Sequence, residues 1–176
     1  MSQLSVFTAD ERALIVSLPY RVGVHISYVE DEDGEEDDTL EMKALEVCIR
    51  EVAKVHGASE IIQDVSKEIL ASRDQWDGWS QGVFNMAPDC EKAAAIVERV
   101  LSEGEAKAYK LMVMSVAQSV AQAYGEFGMG AEDAPGFFGK LMKKFTTAPV
   151  GSQDHPENVS AAEDSAIAVI AKALDI

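Results

Sequence analysis

The sequence has few cysteines, few basic residues and no long uninterrupted apolar run, and each shortage excludes a class of protein. Two cysteines in 176 residues are too few for a disulfide scaffold or a zinc site. Cys48 and Cys90 both lie in apolar helical patterns, which predict buried free thiols. No run approaches the roughly 18 apolar residues of a membrane span. The N-terminal residues lack the pattern of a secretory signal, so we expect a cytoplasmic location.

Basic charge is the most pronounced shortage. The chain has 31 acidic and 15 basic residues, which gives a net charge of −16. Because a surface this negative repels phosphate backbones, we expect no nucleic-acid partner. The same charge favours cations and protein partners that carry a basic surface.

The sequence also lacks a complete set of catalytic residues. Gly-x-Ser-x-Gly, His-Glu-x-x-His and phosphate-loop sequences are all missing, so an enzyme is not the favoured interpretation. His56 follows a predicted helix, where the dipole favours a cationic ring. Trp76 and Trp79 are predicted to be core or rim anchors. An enzyme or small-ligand carrier, with His25 or the two tryptophans walling a cleft between helices, stays an alternative.

Apolar periodicity and capping residues predict an all-α fold. The length fits a single domain, 1–176, and 47% hydrophobic residues can supply its core. We predict a bundle of about six or seven helices, whose middle is the helix ending near Tyr124, because that helix is apolar nearly all round. The starts of five helices are indicated by capping boxes or cap residues at Thr8, Asp38, Ser59, Ser102 and Ser160.

Two features of this helical pattern are open to more than one interpretation. Pro19 should kink or end the first helix near Leu18. Residues 22–28 alternate apolar side chains like a strand, but a lone strand has no partner, so we predict a second, kinked helical piece. An internal two-fold repeat, with half-units 8–56 and 103–176, is indicated when Glu41 is placed over Glu163. Any two capped amphipathic helices would also align in this way.

A run of acidic residues is the main candidate site. Residues 30–38 contain eight acids, interrupted only by Gly34. Hard cations such as Ca²⁺ and Mg²⁺ need several oxygen ligands, which a loop of carboxylates beside a helix start can supply. The run is not an EF-hand, because Val29 and Leu40 would occupy its two end-ligand positions. The alternative is a solvated charge run. The candidate ligands in and beside this run are Asp31, Asp33, Glu35, Asp37 and Glu41.

A second candidate surface is the basic amphipathic segment 137–145. It could lie on an anionic membrane surface or dock a partner, but packing on the chain's own acidic face is favoured, because three lysines are a weak membrane signal. Its apolar residues are Phe137, Phe138, Leu141, Met142 and Phe145, and its cations are Lys140, Lys143 and Lys144.

The acidic turn and the helix that follows it resemble the tellurite-resistance TerB-like family. The resemblance is carried by Asp33-Gly34, by residues 38–45 and, in the second half, by residues 158–163. It implies an all-helical fold, metal binding and a role in stress response. It further implies that Asp33 and Glu41 are ligands and that Glu163 is their counterpart in the second unit.

Together these patterns favour a non-enzymatic cytoplasmic protein that binds Ca²⁺, Mg²⁺ or a basic partner through residues 30–41. A cation would neutralise the clustered carboxylates, order the loop and tighten the pair of helices that it joins. A small-ligand protein and a structural adaptor stay as alternatives.

Overall fold

A computed structural model describes the backbone of residues 2–30, 38–126 and 161–176, and the side chains of 2–29, 43–122 and 161–176. These residues form a single all-α domain with seven α-helices and no strand, as the sequence predicts. Short 3₁₀ turns occupy Gln3–Val6 and Arg73–Gln75. The helices are α1 (Ala9–Glu30), α2 (Asp38–Val55), α3 (Glu60–Ala71), α4 (Trp76–Trp79), α5 (Ala87–Val100), α6 (Glu103–Glu126) and α7 (Ala161–Leu174).

Side-chain caps at Thr8 and Ser59 start α1 and α3 where the sequence predicts them. The Thr8 backbone N–H donates to the Glu11 carboxylate (3.0 Å), and the Glu11 N–H donates to the Thr8 hydroxyl (3.4 Å), which confirms the first capping box. Ser59 caps α3 by accepting from the Ile62 N–H (3.4 Å). Glu105 of α6 completes this cap, because its carboxylate accepts from the Ile61 N–H (2.8 Å).

Helix α1 continues through Pro19 to Glu30. The helix therefore does not end near Leu18, which was one of the two effects expected of Pro19, and residues 22–28 are helical, as predicted. Proline lacks an N–H, so the Ile15 carbonyl, four residues earlier, loses its partner within the helix. The buried Tyr109 hydroxyl of α6 donates to that carbonyl (2.9 Å) and replaces the missing donor.

Helix α6 lies at the centre of the bundle, as predicted. It packs against α1, α2, α3, α5 and α7. A helix surrounded in this way must be apolar on most of its circumference. Its buried apolar residues are Ala106, Tyr109, Met112, Val113, Met114, Val116, Ala117, Val120 and Ala121.

Contacts between the helices define their relative directions. Tyr109 contacts Ile15, and Val116 lies beside Gly23, so α1 and α6 run parallel. Gly23, seven residues before the end of α1, faces Leu45, seven residues after the start of α2, so these two helices are antiparallel.

The last helix reverses direction in the same way. The buried Lys110 ammonium of α6 lies 3.4 Å from the Asp175 carbonyl just beyond α7 and 2.7 Å from the Glu98 carboxylate. This contact, with packing of α7 along α5 and α6, makes α7 antiparallel to α6. We call the end of the bundle where α1 and α6 end and α2 and α7 begin the junction end. Two antiparallel pairs, α1–α2 and α6–α7, have the order that the repeat hypothesis requires, and the repeat itself stays a prediction.

Candidate functional site

The structure places two of the six predicted ligands in helices. Asp31, Asp33, Glu35 and Asp37 lie outside the described residues, and so does the side chain of Glu41, although its backbone is in the first turn of α2. Glu163 lies in the first turn of α7, and none of its surface is exposed.

The register of the helices brings Glu41 and Glu163 to the same end of the bundle. Leu45 lies beside Gly23 at the level of Val116, so Glu41 is one helical turn nearer the junction end. Asp175 lies at the level of Lys110, and Glu163 is twelve residues back along α7. At about 1.5 Å per residue, the same distance along α6 reaches Gln122.

Polar side chains are buried at this level of the bundle. Ser119 and Gln122 lie on α6 with 0% and 7% of their surface exposed, and Ser27 is buried near the end of α1. Hydroxyl and amide oxygens accept hydrogen bonds and also serve as ligands for hard cations. Oxygen-bearing side chains from three helices are therefore buried near the junction end.

A buried carboxylate such as that of Glu163 needs compensation. Removal from water disfavours the charged form unless a cation, hydrogen-bond donors or the group's own proton offsets the loss of hydration. Within the described ranges, no group of three His, Cys, Asp or Glu side chains is arranged to hold a metal ion. Further carboxylate ligands for a cation at Glu163 would thus come from outside the described side chains.

Both cysteines are buried free thiols, as predicted. Burial raises the pKa of the Cys90 thiol to about 12, with a further contribution from the nearby Asp89 carboxylate. Burial raises the pKa of Cys48 as well. Because the thiolate is the reactive form, neither side chain is suited to nucleophilic or metal chemistry.

The residues proposed to wall a ligand cleft are used in packing. His25 Nδ1 lies 2.6 Å from the Val83 carbonyl, and because a carbonyl can only accept, Nδ1 carries the proton. Trp76 is 4% exposed, donates from Nε1 to the Ile69 carbonyl (3.0 Å) and stacks on Tyr20 at 4.9 Å. Trp79 meets Tyr20 edge-on at 5.8 Å. Both tryptophans are therefore anchors of the core and its rim, as predicted.

An open depression of about 290 Å³ lies at the start of α3, and no sequence pattern predicted it. Two carboxylates at its edge hold the N-terminal segment. Asp64 accepts from the Gln3 backbone N–H (2.6 Å) and the Ser2 hydroxyl (3.0 Å), and Glu60 accepts from the Gln3 amide (2.8 Å). These acids tie the chain terminus to α3, which gives them a structural role.

His56 follows α2 directly, as predicted, but burial works against its charged form. Its ring is half-buried, and desolvation lowers its pKa below the usual 6.5. The expected preference for a cationic ring at this helix end is therefore offset by the loss of hydration.

We expect His56 to make the fold less stable in mild acid. Its pKa is lower in the folded than in the unfolded chain, so stability is fully present above pH 6.5 and is lost as the pH falls through the folded pKa. Urea unfolding at about pH 7.5 and about pH 5 should show a smaller loss of stability for His56→Gln than for the wild type. Equal losses in both proteins would contradict this prediction.

Comparison with protein-family models, curated proteins and solved structures finds no match. The TerB-like resemblance accordingly stays a prediction. Among the described helices, none combines the length and the apolar character needed to cross a membrane.

Proposed function

We propose that this protein binds a divalent cation, Ca²⁺ or Mg²⁺, at the junction end of the bundle. The observation that carries the proposal is the complete burial of the Glu163 carboxyl group at the end where the acidic run joins α1 to α2. Glu163 is the buried ligand, and the other proposed ligands are Asp31, Asp33, Glu35, Asp37 and Glu41.

The connectivity of the chain supports this arrangement. Helix α1 ends at Glu30 and α2 begins at Asp38, so both ends of the acidic run are attached to the junction end. Seven intervening residues keep their carboxylates near this end at high effective concentration. Carboxylates on a short tether, together with a fixed buried oxygen, can supply the six to eight oxygen ligands that Ca²⁺ prefers.

In the proposed mechanism the cation binds carboxylates from both helix pairs, α1–α2 and α6–α7, and holds them together electrostatically. It neutralises part of the −16 net charge, orders the acidic run and draws the start of α2 towards the start of α7. Because the ion binds the folded chain, it should also stabilise the fold, by about 2.7 kcal/mol at a hundred times its dissociation constant. A role in stress response is part of the proposal through the TerB-like resemblance alone.

Calorimetric titration with Ca²⁺, Mg²⁺ and Mn²⁺ tests the proposal. We expect one ion per chain for the wild type and at least a tenfold weaker affinity, about 1.4 kcal/mol, for Glu163→Gln. The double variant Asp33→Asn, Glu41→Gln should lose affinity to a similar extent. Thermal unfolding without added ion would show that each variant is folded before the affinities are compared.

Glu103→Gln is the matched control for Glu163→Gln. Glu103 is also in the first turn of its helix, but it is exposed and lies at the start of α6, at the other end of the bundle. This variant should bind the ion like the wild type. Equally weak binding by all the proteins would reject a specific site and leave the acidic run as a solvated surface.

A further inference from the structure

Among the Asp, Glu, Lys and Arg side chains that the structure describes, only Glu163 and Lys110 are buried. They lie at opposite ends of α7. Glu163 is in the first turn of this helix, and the Lys110 ammonium of α6 is beside the backbone just past its last turn. Burying a charged group costs free energy, which the half-exposed Glu98 carboxylate, 2.7 Å away, offsets for Lys110. Buried ion pairs are weak evidence for stability, but polar groups of this kind can fix the register of one helix against another.

The backbone that Lys110 contacts is held in a defined position along α7. The ammonium lies 3.4 Å from the Asp175 carbonyl, and Asp175 has a left-handed backbone conformation with φ 56°. The Asp175 N–H donates to the Lys172 carbonyl (3.2 Å), and the Ile176 N–H donates to the Ala171 carbonyl (3.2 Å). These two hydrogen bonds with a left-handed residue form a Schellman motif, which fixes the point where the helix ends. The ammonium is therefore attached to a fixed point of α7.

The face of α7 that carries Glu163 is otherwise held by apolar contacts. Ile170 and Leu174 follow Glu163 by seven and eleven residues, so the three side chains share one face of the helix, and both apolar residues are buried. Apolar contacts are non-directional, so they hold α7 against the core without fixing its height as strictly as a hydrogen bond does. Because α7 is a continuous helix, a register set at Asp175 is carried to Glu163, twelve residues and about 18 Å away.

We propose that Lys110 is a positioning residue for the cation site, because it holds α7 in the register that keeps the Glu163 carboxyl group at the junction end. This inference rests on the proposed function, in which Glu163 is the buried ligand. Lys110 acts through α7 and does not touch the ion. Its own charge is about 18 Å along the bundle from Glu163, which is beyond the Debye length of about 8 Å at physiological ionic strength.

The sign of the effect separates positioning from electrostatics. Removing a positive charge can only strengthen the binding of a cation through Coulomb's law. If Lys110 positions Glu163, Lys110→Met should instead weaken Ca²⁺ binding in calorimetric titration. We expect a loss of about tenfold, the lower end of the range for groups that orient metal ligands. Methionine keeps much of the apolar stem, and Lys110→Gln is the second variant, with the same expected loss, should the methionine protein not fold.

A double-mutant cycle tests whether Lys110 acts through Glu163. In the Glu163→Gln background the ligand that Lys110 positions is already lost, so Lys110→Met should cause no further loss of Ca²⁺ affinity. A second, full loss in that background would overturn the proposal, because Lys110 would then act by another route.

Tyr109→Phe is the matched control for a general loss of stability. Tyr109 precedes Lys110 on α6, but its hydroxyl contacts the Ile15 carbonyl of α1 and not α7. This variant should be less stable than the wild type, because a buried carbonyl loses its donor, and should still bind Ca²⁺ with unchanged affinity. An equal loss of affinity in Tyr109→Phe and Lys110→Met would assign the effect to stability and overturn the positioning role.

Amide hydrogen exchange without divalent ions measures the effect on α7 independently of ion binding. Lys110→Met should speed exchange in α7 more than in α3, whereas Tyr109→Phe should not single out α7. Equal changes in α7 and α3 for Lys110→Met would contradict the proposal. If the wild type binds no ion, the cation site is rejected, and the positioning role with it. If the wild type binds the ion and Lys110→Met binds it as tightly, only the positioning role is rejected.

Discussion

Replacing Gly23 with valine should destabilise the fold by about 1–3 kcal/mol, the range for overpacking a tight core. Gly23 lies where α1 packs against Leu45 of α2 and Val116 of α6. A Cβ atom added there would overlap the Leu45 Cδ1 methyl and lie 3.2 Å from Val116 Cγ1. Valine adds two further methyl groups to this space. Urea unfolding would show the loss as a lower midpoint with an unchanged slope.

A second substitution tests whether the overlap with Leu45 is the cause. Leu45→Ala alone should cost about 2–5 kcal/mol through the cavity that it leaves. In the Gly23→Val background the valine fills part of that cavity, so the double variant should be more stable than the sum of the two losses by at least about 1 kcal/mol. Strict additivity would show that the two residues are not coupled.

Gly104→Val is the matched control for this site. Gly104 also lies in a helix, in the first turn of α6, but no atom would lie within 4 Å of an added Cβ. The substitution should therefore change stability by no more than about 0.5 kcal/mol. A loss as large as that at Gly23 would mean that crowding by neighbouring side chains is not the cause of the loss.

Signals that act between near neighbours in the chain predicted the fold well. The Thr8–Glu11 capping box is complete within four residues, and the all-round apolar pattern of α6 is a property of that helix alone. The sequence therefore located these elements without knowing what they pack against. It also predicted that both cysteines would be buried, since their helical positions match the apolar face of each helix.

Signals that depend on a distant partner were misread or missed. The effect of Pro19 depends on Tyr109, whose hydroxyl donates to the Ile15 carbonyl although the two residues are 94 positions apart in the chain. The pKa of His56 depends on the residues that bury its ring. The sequence-based prediction considered only the helix dipole and could not include that burial.

The candidate site was likewise predicted only in part, because one of its features depends on contacts between distant helices. The sequence proposed Glu163 through an alignment with Glu41, and the helix register places both first turns at the junction end. The alignment could not predict that Glu163 is fully buried, because its burial requires α7 to pack on the core beside α1, α5 and α6. That burial is the feature on which the proposed cation site depends.

The second large prediction concerns the hydrogen bond from the Tyr109 hydroxyl to the Ile15 carbonyl, which replaces the donor missing at Pro19. Tyr109→Phe removes one hydroxyl and should cost about 2 kcal/mol, because the buried Ile15 carbonyl is then left without its donor. Burial raises the pKa of Tyr109 well above its usual value, so the hydroxyl keeps its proton and remains a donor across the accessible pH range. The loss of stability should therefore be the same in neutral and mildly alkaline urea titrations.

Pro19→Ala provides the test of cause. Alanine restores a backbone N–H at position 19, which can donate to the Ile15 carbonyl within the helix. In that background the tyrosine hydroxyl is no longer the only donor for this carbonyl, so Tyr109→Phe should cost less than about 1 kcal/mol. If the substitution costs as much with alanine as with proline, the hydroxyl contributes through its own packing, and the continuity of α1 past residue 19 must come from the helices that surround it.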